Sequence, residues 1–284
     1  MKRYITRALL CATFLAAACA RDLELGEITA PDAGYTLPQG RSDADDRIVA
    51  LYNKYGSYFL YDYSRRDLIW TLAINSTLAP YQCTPPDVAR VGDFLDFIED
   101  VWLDFYPDEF LEEFLPYKVF LADTVKQVLS NATYYRFSRT GANQIALAFC
   151  SDTLLHLTPA TKLEYKIWLQ RQLWADIYVD RLDIPEEYFA ITDYTKVTSA
   201  DPASPDYYLA RGFFQNIGSM YSMSHHWDLY YFFWNVMSWD YATLETTFSF
   251  DNYPLLKRKY DMLRAFFIQR YGVDIRAITD ATYN

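Results

Sequence analysis

The stretch from Asn143 to Tyr178 constrains this chain more than any other. It opens with Asn-Gln-Ile-Ala-Leu-Ala-Phe-Cys, a short apolar run without Gly or Pro that suits a strand. A turn-like segment to Pro159 follows, and then an uninterrupted pattern from Thr161 to Tyr178. Leu163, Ile167, Trp174 and Ile177 recur there at helical spacing, with Arg171 and Gln172 towards another face.

The rest of the chain agrees with a mixed class. Asp43, Asp45 and Asp46 precede Ile48, Val49, Leu51 and Tyr52, a helix start with acids in its first turn. Phe59 to Tyr63 reads as a strand. Pro80 to Pro86 reads as a break, after which Asp87 caps an amphipathic helix through Val91, Phe94, Leu95, Ile98, Val101, Trp102 and Phe105. Tyr117 to Leu121 and Ala132 to Phe137 read as strands, while Thr124 to Leu129 is compatible with a helix. The segment from Asp180 to Ser222 is irregular, with three prolines and Gly212. Ser224 to Ser238 returns to helical spacing, and a last helix from Tyr253 to Tyr271 closes at Gly272. No internal repeat is visible. The expected fold class is α+β, helix-rich with a small mixed sheet.

The first residues carry an export signal. Lys2, Arg3 and Arg7 precede an apolar run from Ala8 to Ala18, and small residues stand next to Cys19. Leu15 lies four residues before that cysteine, with Ala16 in the place a lipobox leucine takes. The expected division is a signal peptide over 1–18, a lipid-anchored tether over 19–43 and one domain over 44–284. Cys19 is the lipidation site, and the mature protein is expected to be exported and held by lipid alone. An ordinary signal peptide cut near Ala18 or Ala20 is the alternative. With Cys11 removed and Cys19 lipidated, Cys83 and Cys150 remain. An oxidising compartment permits a disulfide between them, and two free buried thiols are the alternative.

Composition narrows the partners. The formal net charge of −11 becomes −14 without the three basic residues of the signal, 23 positive against 37 negative. Such a balance argues against nucleic acid and other polyanions. Aromatics make up 18% of the chain, with 26 Tyr, and amphipathic rings in that number suit half-exposed layers and sugar-binding grooves as well as a Tyr-rich core.

Catalytic signatures are scarce. There is no Gly-x-Ser-x-Gly elbow, phosphate loop or dinucleotide fingerprint. The three histidines are His156, between the strand and the helix, and the adjacent pair His225 and His226. A zinc site from distant residues would draw on His156, one of His225 or His226, and Asp228, but no pair has the His-x-x-x-His spacing. Surface or capping roles are the plainer reading, and no cofactor is expected. Trp227, Tyr230, Tyr231, Trp239 and Tyr241 are candidates for stacking on a ligand, although the helical spacing of most of them reads more simply as core.

Four features resemble one family of lipoproteins: the lipoprotein start, Leu-Tyr-Asn-Lys-Tyr-Gly-Ser-Tyr-Phe-Leu-Tyr at 51–61, the strand–helix unit at 143–178, and Lys-Arg-Lys-Tyr-Asp-Met-Leu-Arg-Ala-Phe-Phe at 257–267 followed by Tyr-Gly-Val-Asp-Ile at 271–275. The family is that of the Bacteroidetes-type zinc-binding metallopeptidases, or substrate-import-associated zinc metallohydrolases. The resemblance implies a zincin-like fold, a location at the outer membrane on the cell surface, and work beside a TonB-dependent outer-membrane importer and its surface lipoproteins, on a glycan or peptide. It also implies a His-Glu-x-x-His helix at Leu163 to Ile167, where only Glu164 corresponds, and a third ligand near Asp228. The expectation is therefore a non-catalytic, pseudo-metallopeptidase binding or accessory component. An active metallohydrolase with a rearranged metal site and a structural lipoprotein without ligand are the alternatives.

Overall fold

The computed structural model describes residues 34–72, 81–219 and 222–283. The chain divides into two units, Met1–Thr36 and Leu37–Asn284. The export signal, Cys11 and Cys19 lie outside the described residues. In the second unit the chain from Leu37 is already bound into the fold, although 19–43 reads as tether. Gln39 accepts from the backbone N–H of Tyr61 at 2.9 Å, and the Tyr61 hydroxyl donates to Asp45 at 2.8 Å. Among the described residues no helix is long and apolar enough to cross a membrane.

The second unit has a mixed four-stranded sheet at its centre. Strands β1 (Tyr58–Leu60), β3 (Lys118–Leu121) and β7 (Gln144–Leu147) run parallel, and β6 (Ser138–Gly141) is antiparallel at the edge, in the order β1-β3-β7-β6. Register is set by pairs such as Val119 with Ile145 and Phe120 with Ala146. β7 is buried along its whole length, as a parallel strand covered on both faces must be, and this is why its sequence is a continuous apolar run. A second sheet, antiparallel and in the order β2-β4-β5, is formed by β2 (Tyr81–Thr84), β4 (Thr124–Val128) and β5 (Thr133–Arg136).

Helices cover the rest. They are α1 (Asp45–Tyr55), α2 (Arg65–Leu72), α3 (Val91–Val101), α4 (Asp108–Phe114), α5 (Pro159–Gln172), α6 (Glu186–Phe189), α7 (His225–Val236), α8 (Tyr241–Thr247), α9 (Pro254–Tyr271) and α10 (Ile275–Asp280). The fold class is α+β, helix-rich with a small mixed sheet, as the sequence indicates. Gly272 ends α9 in the left-handed region at φ 68°, its N–H bonded to the Ile268 carbonyl at 3.1 Å. Asp87 caps a 3₁₀ turn that leads into α3, accepting from the N–H of Ala89 at 3.0 Å.

Several local expectations change. Thr124 to Leu129 is strand, not helix: β4 lies between two strands, and Val125 fills the core at 1% exposure. The break at Pro80 to Pro86 contains β2, and β6 was not visible in the sequence. Ser138 and Thr140 on β6 face inward to Gln172 and Asp176, so the strand lacks the apolar alternation that marks one. No disulfide forms: Cys83 and Cys150 are free thiols. Cys83 pairs with Val125 in the second sheet, while the backbone of Cys150 is bonded to Ala122 and Asp87 beyond β7. Each is thus positioned by a different sheet, and burial pushes both thiols up to about 12.

The helix after β7 keeps its central place with a different register. Its core face is Tyr165, Lys166, Leu169, Gln170 and Gln172, and Leu163 and Ile167 are half-buried. From Leu173 to Tyr178 the helix widens to a π-turn, with the N–H of Val179 bonded to the Trp174 carbonyl at 3.1 Å. The extra residue rotates Trp174, Ile177 and Tyr178 into the core, where all three are buried.

Candidate functional site

Two regions next to α5 and α7 hold the chemistry of this chain. The first is where a metal would be sought. Glu164 is exposed on α5, and its neighbours commit that turn to structure. The Tyr165 hydroxyl donates to the Ala148 carbonyl at 3.1 Å. Lys166, 1% exposed, donates to the carbonyls of Ile278 at 2.7 Å and Ala281 at 2.6 Å and so caps the C-terminal end of α10. Burial lowers Lys166 to about 8.

The residues proposed as distant ligands do not converge. His156 is exposed at the end of a 3₁₀ turn. His226 shares a hydrogen bond of 2.8 Å with Asp180. His225 stacks on Phe189, with ring centres 3.8 Å apart, and tilts against Tyr194 at 4.8 Å. Asp228 is buried beneath α7, where Lys259 of α9 and the Tyr194 hydroxyl each donate to its Oδ2 at 2.6 Å. Neither member of the Asp228–Lys259 pair is exposed at all. Burial pushes Lys259 below the ordinary ammonium value, and Asp228 pulls it part of the way back. The ammonium thus occupies the acid that a cation would need. Among the described residues no three His, Cys, Asp or Glu side chains are grouped as metal ligands. With Leu163 and Ile167 at the motif positions, the donor set does not fit a zinc ion.

The second region is a ladder of rings and guanidinium groups across α5 and α7. The buried stripe of α7 is Asp228, Leu229, Phe232, Phe233 and Val236. Trp227, Tyr230, Tyr231 and Trp234 lie on its other side, half-buried, with Tyr230 and Trp234 packed against the edge of the core. Trp234 stacks on Tyr230 with centres 5.8 Å apart, and Trp227 stacks on Tyr231 at the same distance. Arg171 lies over the Trp234 ring at 4.1 Å and over the Trp168 ring at 4.6 Å. Arg136 continues the series, 5.7 Å from Trp168 and 5.2 Å from Tyr134. Trp239 is 43% exposed in the turn after α7 and takes no part in these contacts. Tyr241 packs on Tyr260 and bonds to Glu245, away from the ladder.

At the α5 end the ladder opens into a cavity of about 340 Å³ lined by Tyr135, Arg136, Phe137, Phe149 and Trp168. That volume is in the range of small-ligand sites, and the lining is aromatic with one charged group. Tyr135 is 71% exposed at its rim. Phe149 reaches the cavity through a left-handed backbone at φ 84°, a conformation that a bulky side chain takes at a cost of about 1–3 kcal/mol. Its N–H is held by the Asp123 carbonyl at 2.9 Å, and its own carbonyl accepts from Ser151 at 2.8 Å. The backbone strain is therefore local to Phe149. Phe149→Gly is expected to be more stable than Phe149→Ala by about 1 kcal/mol, read from paired urea titrations. An alanine variant equal to or better than the glycine one would show that the left-handed backbone carries no cost.

Sequence reasoning found the α7 stripe but missed Trp168, Arg171, Arg136 and Phe149. Of Arg171 and Gln172, both read towards another face, Arg171 is half-buried beside the ladder whereas Gln172 is buried on the core face, and nothing in the sequence says that a second helix brings Trp234 over Arg171. No protein-family model and no curated protein matches the chain. Among solved structures it is similar to a putative zinc-binding metallo-peptidase from Bacteroides caccae, at 13% identity and a TM-score of 0.44, over 84% of this chain and 92% of that one. Likeness of this degree assigns no activity to the ladder or to the buried pair.

Proposed function

We propose that this protein is a non-catalytic, metallopeptidase-like lipoprotein of the outer-membrane surface that binds a polymer for a TonB-dependent nutrient importer. The ladder of Trp168, Arg171, Trp234 and Tyr230, with the cavity at its end, carries this reading. Rings stacked on one another and on arginines form a preordered surface, so little side-chain entropy is lost when a ligand lies along it. The position of a general base favours binding over hydrolysis. Glu164 stands in solvent, and Asp228 is bound to Lys259, so neither is placed to activate a water.

The test is a retention screen of the full chain on immobilised polysaccharides and peptides, with Trp168→Ala and Trp234→Ala as controls. The expected result is retention by at least one polymer and a loss of tenfold or more in each variant, the effect of removing one aromatic contact worth about 1–3 kcal/mol. Retention that survives both substitutions would move the binding site elsewhere. Stoichiometric zinc in the purified protein, with chelator-sensitive hydrolysis of any retained polymer, would overturn the non-catalytic reading.

A further inference from the structure

The ladder is positively charged on a protein of net charge −11. Several arginines elsewhere are ion-paired, among them Arg47 with Asp96 and Glu99, Arg90 with Asp93 and Asp152, Arg264 with Asp274, and Arg276 with Asp280, while Arg181 is held by the carbonyls of Glu113 and Phe114. Among the described residues Arg136, Arg139 and Arg171 form no direct ion pair, and all three lie against aromatic rings; for Arg139 the ring is Tyr81, at 4.6 Å. A guanidinium stacked on a ring keeps its N–H groups in its own plane, directed outward as a fork for carboxylate. The Nε atoms of Arg139 and Arg171 are buried and lack a hydrogen-bond partner among the described residues, so a ligand would meet the terminal N–H groups of the guanidinium. The bonds these arginines do make are long: Arg171 to the Ser238 hydroxyl at 3.5 Å and Arg136 to Gln127 at 3.3 Å.

The rings define the rest of the ligand. Among the described residues the hydroxyls of Tyr230 and Tyr231 and the indole N–H groups of Trp227 and Trp234 make no hydrogen bond within the chain. Flat rings with unused polar edges match a molecule that has C–H faces and hydroxyl edges together, which is the chemistry of a sugar ring. From Trp227 to Trp234 the stripe extends about 10 Å along α7, so it takes more than one such ring. The carboxylates nearby limit the charge the ligand carries. Asp176, hydrogen-bonded to Thr140 at 2.7 Å, interacts with both Arg139 and Arg171, and Asp180 lies beside His226. A dense polyanion would meet these acids and the net negative charge of the chain, whereas single carboxylates set between neutral sugars would not.

We propose that the ladder binds a carbohydrate chain bearing isolated carboxylated sugars, a hexuronate-substituted glycan, with Arg136 and Arg171 on its carboxylates. This rests on the ladder being the polymer-binding surface described above. The experiment is affinity electrophoresis of the full chain in gels containing glucuronoxylan, the same polymer after reduction of its carboxyl groups, or poly-glutamate. Glucuronoxylan is expected to retard the protein, the reduced polymer to bind at least about tenfold more weakly, as for loss of a charged hydrogen bond, and poly-glutamate to have no effect. Arg171→Gln and Arg136→Gln are expected to lower binding of glucuronoxylan by a larger factor than binding of the reduced polymer, so that the two polymers bind nearly alike, with thermal melts confirming that both variants are folded; an equal loss for both polymers overturns the carboxylate assignment.

Equal binding of native and reduced polymer overturns the carboxylate assignment and leaves a neutral-glycan groove. Retardation by poly-glutamate alone overturns it in favour of an acidic peptide. Absence of retardation by all three overturns it, and the retention screen with Trp234→Ala then decides separately whether the ladder binds any polymer.

Discussion

Lys259→Met is expected to lower the unfolding free energy by about 3–5 kcal/mol, because it leaves a buried carboxylate without its counter-charge. Asp228 would retain only the Tyr194 hydroxyl, at 2.6 Å, and its Oδ1 already lacks a partner. No water can substitute without opening the packing of α7 on α9, since both side chains of the pair are fully buried. Lys259 also lies 4.8 Å from the Tyr188 ring and 5.1 Å from the Phe213 ring, contacts that a methionine partly keeps, so the loss is mainly electrostatic. The double variant Lys259→Met/Asp228→Leu is expected to recover most of the stability, because replacing a whole buried pair by apolar groups is commonly neutral or better. Chemical denaturation of the wild type and the two variants measures both effects. A single variant within about 1 kcal/mol of wild type, the level of an exposed pair, would mean that the pair is solvated.

Trp174→Ala is the second large effect, with an expected loss of about 3–5 kcal/mol from the cavity left by a buried indole. Trp174 is fully buried where α4, the π-turn, α7 and α9 meet. Its ring lies 5.1 Å from Phe233, 5.2 Å from Phe267, 5.6 Å from Tyr178 and 6.1 Å from Phe110. The indole N–H donates to the Tyr106 hydroxyl at 2.9 Å, and that hydroxyl donates in turn to Gln170. Trp174→Phe keeps most of the volume and loses the hydrogen bond, so it is expected to cost less than half as much as the alanine variant. Equal costs in the two would assign the stability to the bond rather than to the packing. Because Trp174 lies one turn beyond Arg171, the alanine variant is also expected to weaken ligand binding through the position of the ladder, without touching the ligand.

What was legible in the sequence depended on periodicity. The buried run Gln144–Leu147 and the helices α1, α3, α7 and α9 could be read because each keeps one side apolar or has a recognisable end, as at Asp87 and Gly272. Strand β6 could not, since its inward residues are Ser138 and Thr140, satisfied by Gln172 and Asp176 that lie far along the chain. The buried polar face of α5 was hidden for the same reason. Gln172 reads as facing away from the apolar stripe, yet it is buried against Ser138, and Lys166 and Gln170 are buried on partners from other elements that the sequence does not reveal. The aromatic residues of α7 read mostly as core on spacing; Phe232 and Phe233 enter it fully, while Tyr230 and Trp234 pack against it half-buried, because the helix has aromatic residues on both faces and spacing alone does not grade their burial.

The sequence by itself determined the class of the fold, the place of the strand–helix unit within it, and the absence of a His-Glu-x-x-His pair at Leu163 and Ile167. These follow from local chemistry: propensity, periodicity and the identity of side chains within a few residues. Only the tertiary structure decided that Asp228 is held by Lys259, and that Trp168, Arg171 and Trp234 form one surface with Arg136. The pairings between elements join residues 31 (Asp228 and Lys259), 32 (Arg136 and Trp168) and 63 (Arg171 and Trp234) positions apart. They depend on how α5, α7, α9 and β5 pack, which local periodicity does not encode.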